Sequence, residues 1–419
     1  MNIFRFMAIR PEKNAAPQIA AVPYDVVTAH EAALCIAENP LSFLRVTRPD
    51  AELPDLAPDD EQVYRRAREN FDTLLAKGLL LHDSKPAMYV YRVISGDVSY
   101  TGLGCCLDTR DYEQNIIRRH ELTRYDKEED RTKHIDAVNA HTGPVVLLYR
   151  DAEAICSLVE AEADKKGVPD AEVKWPDGTV HQIFRIDDEQ ILSRLEDHFS
   201  GINALYIADG HHRAKSAVNV AHRRQRRGEG SEETGRFLGV LFAHNRVKIH
   251  GYSRLLTDLR GYSQDEFLKK LREHYDVRPY GEVDDCKYQI SPMVSPSAGV
   301  HIVHMYLGGQ WYECTSDTDP DAGIIESLDV SILQKKVLFR ILDITDPRGD
   351  SRLQYLGGAR PLADLQEMVD SGDFVAAFAM QPVNVETVLD IADAGGIMPP
   401  KSTWFEPKLL SGLIVHTLD

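Results

Sequence analysis

The sequence predicts a protein of the α/β or α+β class, built on mixed sheets with hairpins. Three observations lead to this class. Apolar β-rich runs face each other across short turns, apolar residues elsewhere recur at helical spacing, and both kinds of segment alternate along the chain. Strands joined by hairpins fit mixed sheets better than a doubly wound parallel sheet.

The first half of the chain supplies many of these elements. "ALYIA" is a short apolar strand, and the helix that follows it should end before Gly228. The other expected elements are a helix over 57–81 with Asp59 as N-cap, a hairpin from "AMYVYRVI" and "VSYTGLGCCL", a helix over 151–166, a hairpin over 173–186 and a strand over 236–243.

The second half is predicted to form an α/β region of its own. Its expected elements are a helix over 263–274, a hairpin over 300–314, an amphipathic helix over 328–342 and a buried strand over 374–383. A chain of 419 residues is too long for one small core. We therefore expect two domains, 1–245 and 246–419, the second contributing a Lys-rich loop; one large α/β unit with insertions is the alternative.

Composition restricts the partners. The formal net charge is −18, which disfavours nucleic acid because such binding neutralises phosphates with Lys and Arg. No apolar stretch is long enough for a membrane span, and six scattered cysteines fit reduced thiols better than a disulfide framework. We expect a cytoplasmic protein with a small-molecule substrate and no nucleic-acid or membrane partner; a homodimer is an open alternative to a monomer.

The strongest candidate site is the strand–turn–helix junction in "LYIADGHHRAKSAV". A helix N-terminus offers N–H groups and positive dipole charge to an anion, and Gly210 lets the backbone approach a ligand. Arg213 adds a fork that matches phosphate or carboxylate. His211 and His212 suit phosphate, metal or proton transfer, and Asp209 is either part of the site or a helix cap.

A second candidate segment is "RRHELTRYDKEEDRTKHIDAVNAHTGP". His120 and Glu121 are interpreted as a general-base pair or as metal ligands, and Arg118 and Asn139 as substrate-binding groups. A solvated, charged helix is the alternative for most of this segment. The zincin motif is absent because Arg124 stands where its second His would be, so the identity of any metal stays unknown.

Two further segments carry candidate residues. In "GGIMPPKSTWFEPKLLSGLIV", Lys401, Ser402, Thr403 and Lys408 suit phosphate contact from a proline-rigidified loop, with a rigid surface loop as the alternative. In "AVPYDVVTAHEA", Asp25 lies beside Val26-Val27, where apolar surroundings could raise its pKa and make it a base. A structural turn aspartate is the alternative.

Five ordered motifs run through most of the chain: "VPYDVV", "RHELT…DR…NAHTGP", "YIADGHHRAKSA", "LDVSILQ" and "MPPKSTWFEPKLLSGL". Together they resemble the bacterial family called domain of unknown function 1015. The "ADGHHR" turn is also similar to the phosphate-binding turn of the ParB/sulfiredoxin-like fold, whose members include free serine kinases.

The resemblance implies a catalytic first domain in which Asp209, Gly210, His211 and Arg213 handle phosphate and metal. It also implies ATP or ADP with Mg²⁺, and an acidic general base upstream of the turn, for which Asp25 and Glu121 are both candidates. The leading hypothesis is phosphoryl transfer between a nucleotide and the hydroxyl of a small metabolite, with free serine as the first choice. The alternatives are a phosphatase of phosphoserine or a similar ester, and a nucleotide- or metabolite-binding regulatory protein without turnover.

Overall fold

The computed structural model describes residues 1–150, 152–280, 300–358 and 361–419. Contacts divide the chain into two compact units: unit 1 comprises Met1–Val247 with Pro407–Asp419, and unit 2 comprises Lys248–Glu406. The segment Pro407–Asp419, which the sequence suggested for the second domain, therefore belongs to unit 1. Mixed sheets with hairpins confirm the predicted α/β class.

The strands are numbered along the chain. They are β1 (Ile3–Phe4), β2 (Ala8–Pro11), β3 (Leu80–His82), β4 (Met88–Ser95), β5 (Val98–Asp108), β6 (Ile117–Arg118), β7 (Ala140–His141), β8 (Val145–Tyr149), β9 (Ala171–Lys174), β10 (Val180–Ile186), β11 (Leu205–Asp209), β12 (Arg236–Ala243), β13 (Lys248–His250), β14 (Tyr252–Leu256), β15 (Asp276–Pro279), β16 (Val300–Leu307), β17 (Gln310–Asp317), β18 (Leu353–Gly357), β19 (Ala376–Ala379), β20 (Trp404–Glu406) and β21 (Val415–Thr417).

The α-helices are numbered in the same way. They are α1 (Ala16–Ile19), α2 (Ala29–Glu38), α3 (Leu44–Thr47), α4 (Glu61–Ala76), α5 (Thr109–Glu113), α6 (Tyr125–Val138), α7 (Glu153–Lys166), α8 (Glu189–Ser200), α9 (His211–Arg227), α10 (Gln264–Leu271), α11 (Asp329–Leu333), α12 (Leu362–Asp370) and α13 (Val385–Asp393). A π-helix, Gln334–Phe339, continues α11.

The large sheet of unit 1 has the strand order β6-β11-β8-β12-β5-β4-β10-β9, with β1 paired to β5. Strand β8 runs parallel to β12 and antiparallel to β11, so the sheet is mixed. Apolar side chains of α7, α8 and α9, such as Leu158, Leu195 and Val218, join strand residues such as Leu147 and Leu241 in one core. This packing fixes the end of β11 and the start of α9 on a rigid support.

A smaller antiparallel sheet of unit 1 has the order β3-β2-β21-β7. Its strand β21 comes from the C-terminal segment and lies between strands from the first third of the chain. Val415 is buried with Phe43 and Phe71 in a second core beneath this sheet. Strand β21 is thus an internal strand of this sheet.

Unit 2 contains an antiparallel sheet of order β15-β17-β16-β19-β14-β18 and the separate pair β13–β20. Helix α12 packs on this sheet through Leu362 and Leu365, which are buried with Trp311 and Phe374. The predicted hairpin over 300–314 is confirmed by β16 and β17, which turn at Gly308-Gly309.

Most sequence-predicted elements of unit 1 are confirmed, but their ends differ. The hairpins β4–β5 and β9–β10, the strands β11 and β12 and the helix α9 with its C-cap Gly228 occur as expected. The helix expected over 57–81 was too long: α4 covers Glu61–Ala76, and its N-cap is Asp60, whose carboxylate accepts from the Gln62 N–H at 2.8 Å.

Two further properties bear on the sequence predictions. Within the described residues, no helix combines the length and apolar character that a bilayer crossing requires. The described cysteines are free thiols, and four of these five are buried. The sixth, Cys286, lies outside the described residues.

Candidate functional site

The candidate site forms where β11 ends and α9 begins. The pairing of β11 with β8 shifts register between Ile207 and Asp209, and such irregularities re-aim side chains at strand ends. Asp209 is the last residue of the strand, Gly210 is the N-cap of α9, and His211 is the first helical residue. The predicted strand–turn–helix junction is therefore present.

Glycine is strongly favoured at position 210. Its φ of +94° lies in the left-handed region, where a side chain is strained. A Cβ at this position would also lie 3.0 Å from Nε of Arg213. Since no side chain caps this helix end among the described residues, and the first turn of α9 carries no acidic residue, the positive end of the helix dipole stays available.

Asp209 holds two cations at the turn. Its Oδ1 accepts from Nζ of Lys408 at 2.6 Å, and its Oδ2 accepts from Nη2 of Arg213. Burial alone would raise the pKa of Asp209, but the charges of Lys408 and Arg213 outweigh it and hold the pKa below its usual range. Asp209 is therefore ionised at neutral pH, and the three groups together carry a net charge of about +1.

Arg213 is fixed by a second contact. Its Nη1 donates to the carbonyl of Pro144, while Nη2 donates to Asp209. Both nitrogens carry a second N–H, and the buried Nε has no hydrogen-bond partner among the described residues. Burial would lower the pKa of Arg213, but the carboxylates of Asp209 and Asp25 raise it, so the guanidinium stays charged.

His120, Glu121 and His211 meet beside the turn. One potential ligand atom from each lies within 4.8 Å of the others. The two imidazoles pack edge to face, with ring centroids 4.6 Å apart. Burial lowers the pKa of His120 to about 4, and burial with the neighbouring His120 holds the pKa of His211 well below its usual value. Both rings are therefore neutral at pH 7.

His212 has a structural contact. Its Nε2 accepts from the backbone N–H of Arg124 at 3.0 Å, so the ring ties the start of α9 to the segment before α6. In this arrangement the ring hydrogen resides on Nδ1. A phosphate contact from His212 stays a prediction.

Asp25 is exposed, so the expected apolar surroundings are not present. The adjacent Val26 is itself 42% exposed and does not cover the carboxylate. Asp25 nevertheless contributes to the electrostatic environment of Arg213 and of Tyr24. Its role as a base stays a prediction, without the argument from burial.

The Pro-rich loop divides between the two units. Lys408 belongs to unit 1, whereas Lys401, Ser402 and Thr403 belong to unit 2. In unit 2, Nζ of Lys401 lies 5.4 Å from the centre of the Tyr252 ring, and Ser402 Oγ donates to the Pro399 carbonyl at 2.6 Å. Phosphate contacts from these three residues stay a prediction.

Asn139 lies away from the turn, and a substrate contact from it stays a prediction. It ends α6 with a left-handed φ of +60°, and its side chain contacts Asp419 at 2.6 Å and Arg224 at 2.5 Å. Arg224 follows Arg213 by 11 positions on α9, about 16 Å along the helix axis. Both ends of the Asn139 amide are therefore used in holding the chain together.

Arg118 lies on the strand next to β11. Residues Arg118 and Tyr206 are paired between β6 and β11, and the guanidinium lies 5.9 Å from the Tyr206 ring centre. Tyr206, the partner of Arg118, precedes Asp209 by three residues on β11. A substrate contact from Arg118 stays a prediction.

Sequence reasoning did not single out Tyr24 and Arg131. The Arg131 guanidinium lies 4.2 Å from the centre of the Tyr24 ring, and both residues line a cavity of about 30 Å³ beside Arg213. That volume holds a water molecule or two and no nucleotide. The signal was available, because Tyr24 and Arg131 stand in the quoted "VPYDVV" and "DR" motifs.

The chain is similar to one family of proteins and, distantly, to several solved structures. The model of the family described as protein of unknown function (DUF1015) matches residues 3–331. No curated protein matches the chain. A solved structure of free serine kinase in complex with AMP is 16% identical with a TM-score of 0.37, and the match covers 75% of this chain and 89% of that one.

Two other solved structures resemble this chain about as weakly as free serine kinase does. A conserved hypothetical protein from Pyrococcus furiosus is 14% identical, with a TM-score of 0.33 and coverage of 72% of this chain and 90% of that one. C-terminally truncated SbnI from Staphylococcus aureus is 9% identical, with a TM-score of 0.35 and coverage of 73% and 85%. These distant likenesses do not identify a function for this chain.

Proposed function

The chain belongs to the DUF1015 family of proteins of unknown function, and we propose that it transfers a phosphoryl group between a nucleotide and the hydroxyl of a small metabolite. Free serine is the first acceptor to test. The observation that carries the proposal is the pair of cations, Arg213 and Lys408, held on Asp209 at the uncapped start of α9.

The charge balance of the turn supports an anionic ligand. The whole chain has a formal net charge of −18, yet Arg213 and Lys408 outnumber the one carboxylate that holds them. The N–H groups at the start of α9 add partial positive charge in the same place. A phosphate at this position would meet fixed donors, which is the main means by which proteins stabilise phosphoryl transfer.

The residues at the turn divide into binding and proton-accepting groups. Arg213, Lys408 and the N–H groups that follow Gly210 hold the phosphate, and Asp209 positions the two cations. Asp25 or Glu121 accepts the proton of the acceptor hydroxyl as its oxygen bonds to phosphorus and the bond to the nucleotide oxygen breaks. With ADP as donor this step leaves AMP, and with ATP it leaves ADP.

Mg²⁺ would accompany the nucleotide and neutralise charge on its phosphates. Both oxygens of Asp209 are already engaged in ion pairs with Lys408 and Arg213, which makes this carboxylate a poor main ligand for the ion. We therefore expect Mg²⁺ to be held mainly by phosphate oxygens and water. The turn is therefore proposed to bind the phosphate group and not the metal ion.

Phosphorus NMR tests the proposal directly. Purified protein with Mg²⁺ is incubated in separate tubes with ATP and serine, ADP and serine, and phosphoserine with and without nucleotide. Phosphoserine that forms only with nucleotide supports the transfer. Phosphate released from phosphoserine alone assigns the turn to a phosphatase, and binding without any product over long incubation assigns it to a regulatory protein.

Variants then locate the reaction. Arg213→Ala should abolish turnover without unfolding the protein, and Arg223→Ala is the matched control. Arg223 lies on the same helix in an ion pair with Glu129, away from the turn. Equal activity of Arg213→Ala and wild type would exclude this site. Comparison of Asp25→Asn with Glu121→Gln identifies the proton acceptor.

A further inference from the structure

A cluster beside the turn has the composition of a metal site. His120, Glu121 and His211 each direct one potential ligand atom into the same space, and all three atoms lie within 4.8 Å of one another. Ligands of a tetrahedral zinc ion, bound at about 2.1 Å, are separated by about 3.4 Å. Small side-chain rotations would therefore bring these atoms to bonding distance.

His211 supplies a second and independent observation. The residue is only 7% exposed, and its Nε2 is buried without a hydrogen-bond partner among the described residues. A buried polar atom of this kind is costly unless a ligand, ion or water satisfies it. A metal ion in the cluster would accept the lone pair of this nitrogen.

His120 makes a hydrogen bond that is common among metal-binding histidines. Its ring donates to the backbone carbonyl of Ile207. Histidine ligands commonly make such a bond with their second nitrogen, since it fixes the tautomer and the direction of the ring.

We propose that His120, Glu121 and His211 bind a divalent first-row transition-metal ion, such as zinc. Two imidazole nitrogens and one carboxylate select such an ion over Mg²⁺, which prefers oxygen ligands. Two histidines and a glutamate are also a ligand set that leaves a coordination position open.

The site changes one assignment in the proposed function. With Glu121 as a ligand, the proton acceptor is Asp25. The metal site does not depend on phosphoryl transfer, because its binding is measured without nucleotide or acceptor. Failure of the NMR experiment therefore leaves it standing, and its failure leaves the phosphate-binding turn standing.

Metal binding is tested on the full chain. Protein freed of metal with a chelator is titrated with Zn²⁺ and with Co²⁺, whose visible absorption reports four- or five-fold coordination with nitrogen ligands. We expect one ion per chain and no displacement by millimolar Mg²⁺. Absence of binding by the folded wild-type protein, or equal competition by Mg²⁺, overturns the proposal.

Variants assign the ligands. His120→Asn, Glu121→Gln and His211→Asn should each weaken binding by about tenfold or more and change the Co²⁺ spectrum. The control is His222→Asn, an exposed histidine on the same helix that forms an ion pair with Glu113 at 2.9 Å. If circular dichroism shows that a variant of a buried histidine does not fold, the metal affinity of Glu121→Gln tests the assignment instead, because Glu121 is more exposed. Unchanged binding in Glu121→Gln, or an equal loss in His222→Asn, contradicts the assignment.

Discussion

If the turn binds phosphate as proposed, its affinity for inorganic phosphate should depend on the charges that Asp209 holds there. Asp209→Asn changes the formal charge of the group from about +1 to about +2, and Lys408→Met changes it to about 0. Both substitutions keep the approximate shape of the side chain. The order of phosphate affinity should therefore be Asp209→Asn above wild type, and wild type above Lys408→Met.

The size of the effect follows from Coulomb's law. One unit charge at about 6 Å from a bound anion, with an effective dielectric constant of about 40 at this partly exposed turn, contributes about 1.4 kcal/mol. That free energy corresponds to about a tenfold change in Kd. Asp209→Asn also leaves Lys408 and Arg213 as neighbouring like charges, so its free energy of unfolding should fall by about 2–3 kcal/mol.

Isothermal titration calorimetry with inorganic phosphate at low ionic strength measures this order, because salt screens exposed charges. Lys166→Met is the control, since Lys166 forms a looser ion pair with Asp170, at 3.7 Å, elsewhere in unit 1. An Asp209→Asn variant that binds phosphate no better than wild type would refute the reasoning. Equal losses in Lys166→Met and Lys408→Met would show a general charge effect.

Three other outcomes are expected. Gly210→Ala should weaken phosphate binding and cost about 1–2 kcal/mol of stability, because its φ of +94° strains any side chain; calorimetry and urea unfolding measure the two effects. Asn139→Ala should lower the free energy of unfolding by about 1–2 kcal/mol while phosphate affinity stays unchanged, since its amide holds Asp419 and Arg224. Burial lowers the pKa of His181 to about 4, so the folded state favours the neutral ring. The contribution of this ring to the free energy of unfolding is complete above about pH 6.5 and declines as the pH falls towards 4. His181→Gln should therefore reduce the slope of stability against pH in that range by about 1.4 kcal/mol per unit, as urea unfolding at several pH values will measure.

Each of these outcomes has a result that would contradict it. Full phosphate affinity in Gly210→Ala would mean that the backbone at this position does not approach the anion. Loss of phosphate binding in a folded Asn139→Ala protein would show that Asn139 contributes to the site. An unchanged slope in His181→Gln would mean that the ring titrates alike in folded and unfolded protein.

The turn itself was predictable because its signals are local. An apolar strand, a glycine and a helical repeat of small apolar residues follow one another within 205–221, so chain order alone places the five turn residues together. The same local rules predicted too long a helix for α4. Leu80 continues the apolar pattern of that helix but is buried in strand β3, and a pattern cannot tell which element a buried leucine belongs to.

Local sequence patterns could not predict contacts between distant parts of the chain. Lys408 and Lys401 stand in one Pro-rich loop and looked equivalent, yet only Lys408 belongs to unit 1, where it pairs with a carboxylate 199 positions earlier. Asp25 looked half-buried because valines follow it, but Val26 is exposed. Burial is decided by long-range packing, and a single sequence carries little information about it.

The return of Pro407–Asp419 to unit 1 has a consequence for the order of synthesis. A ribosome produces Met1–Val247 first and then unit 2, roughly 160 residues that take about 8–30 s at about 5–20 residues per second. During that interval the nascent first unit lacks both strand β21 and the Lys408 ammonium that Asp209 holds. The turn is therefore completed only after unit 2 has been synthesised.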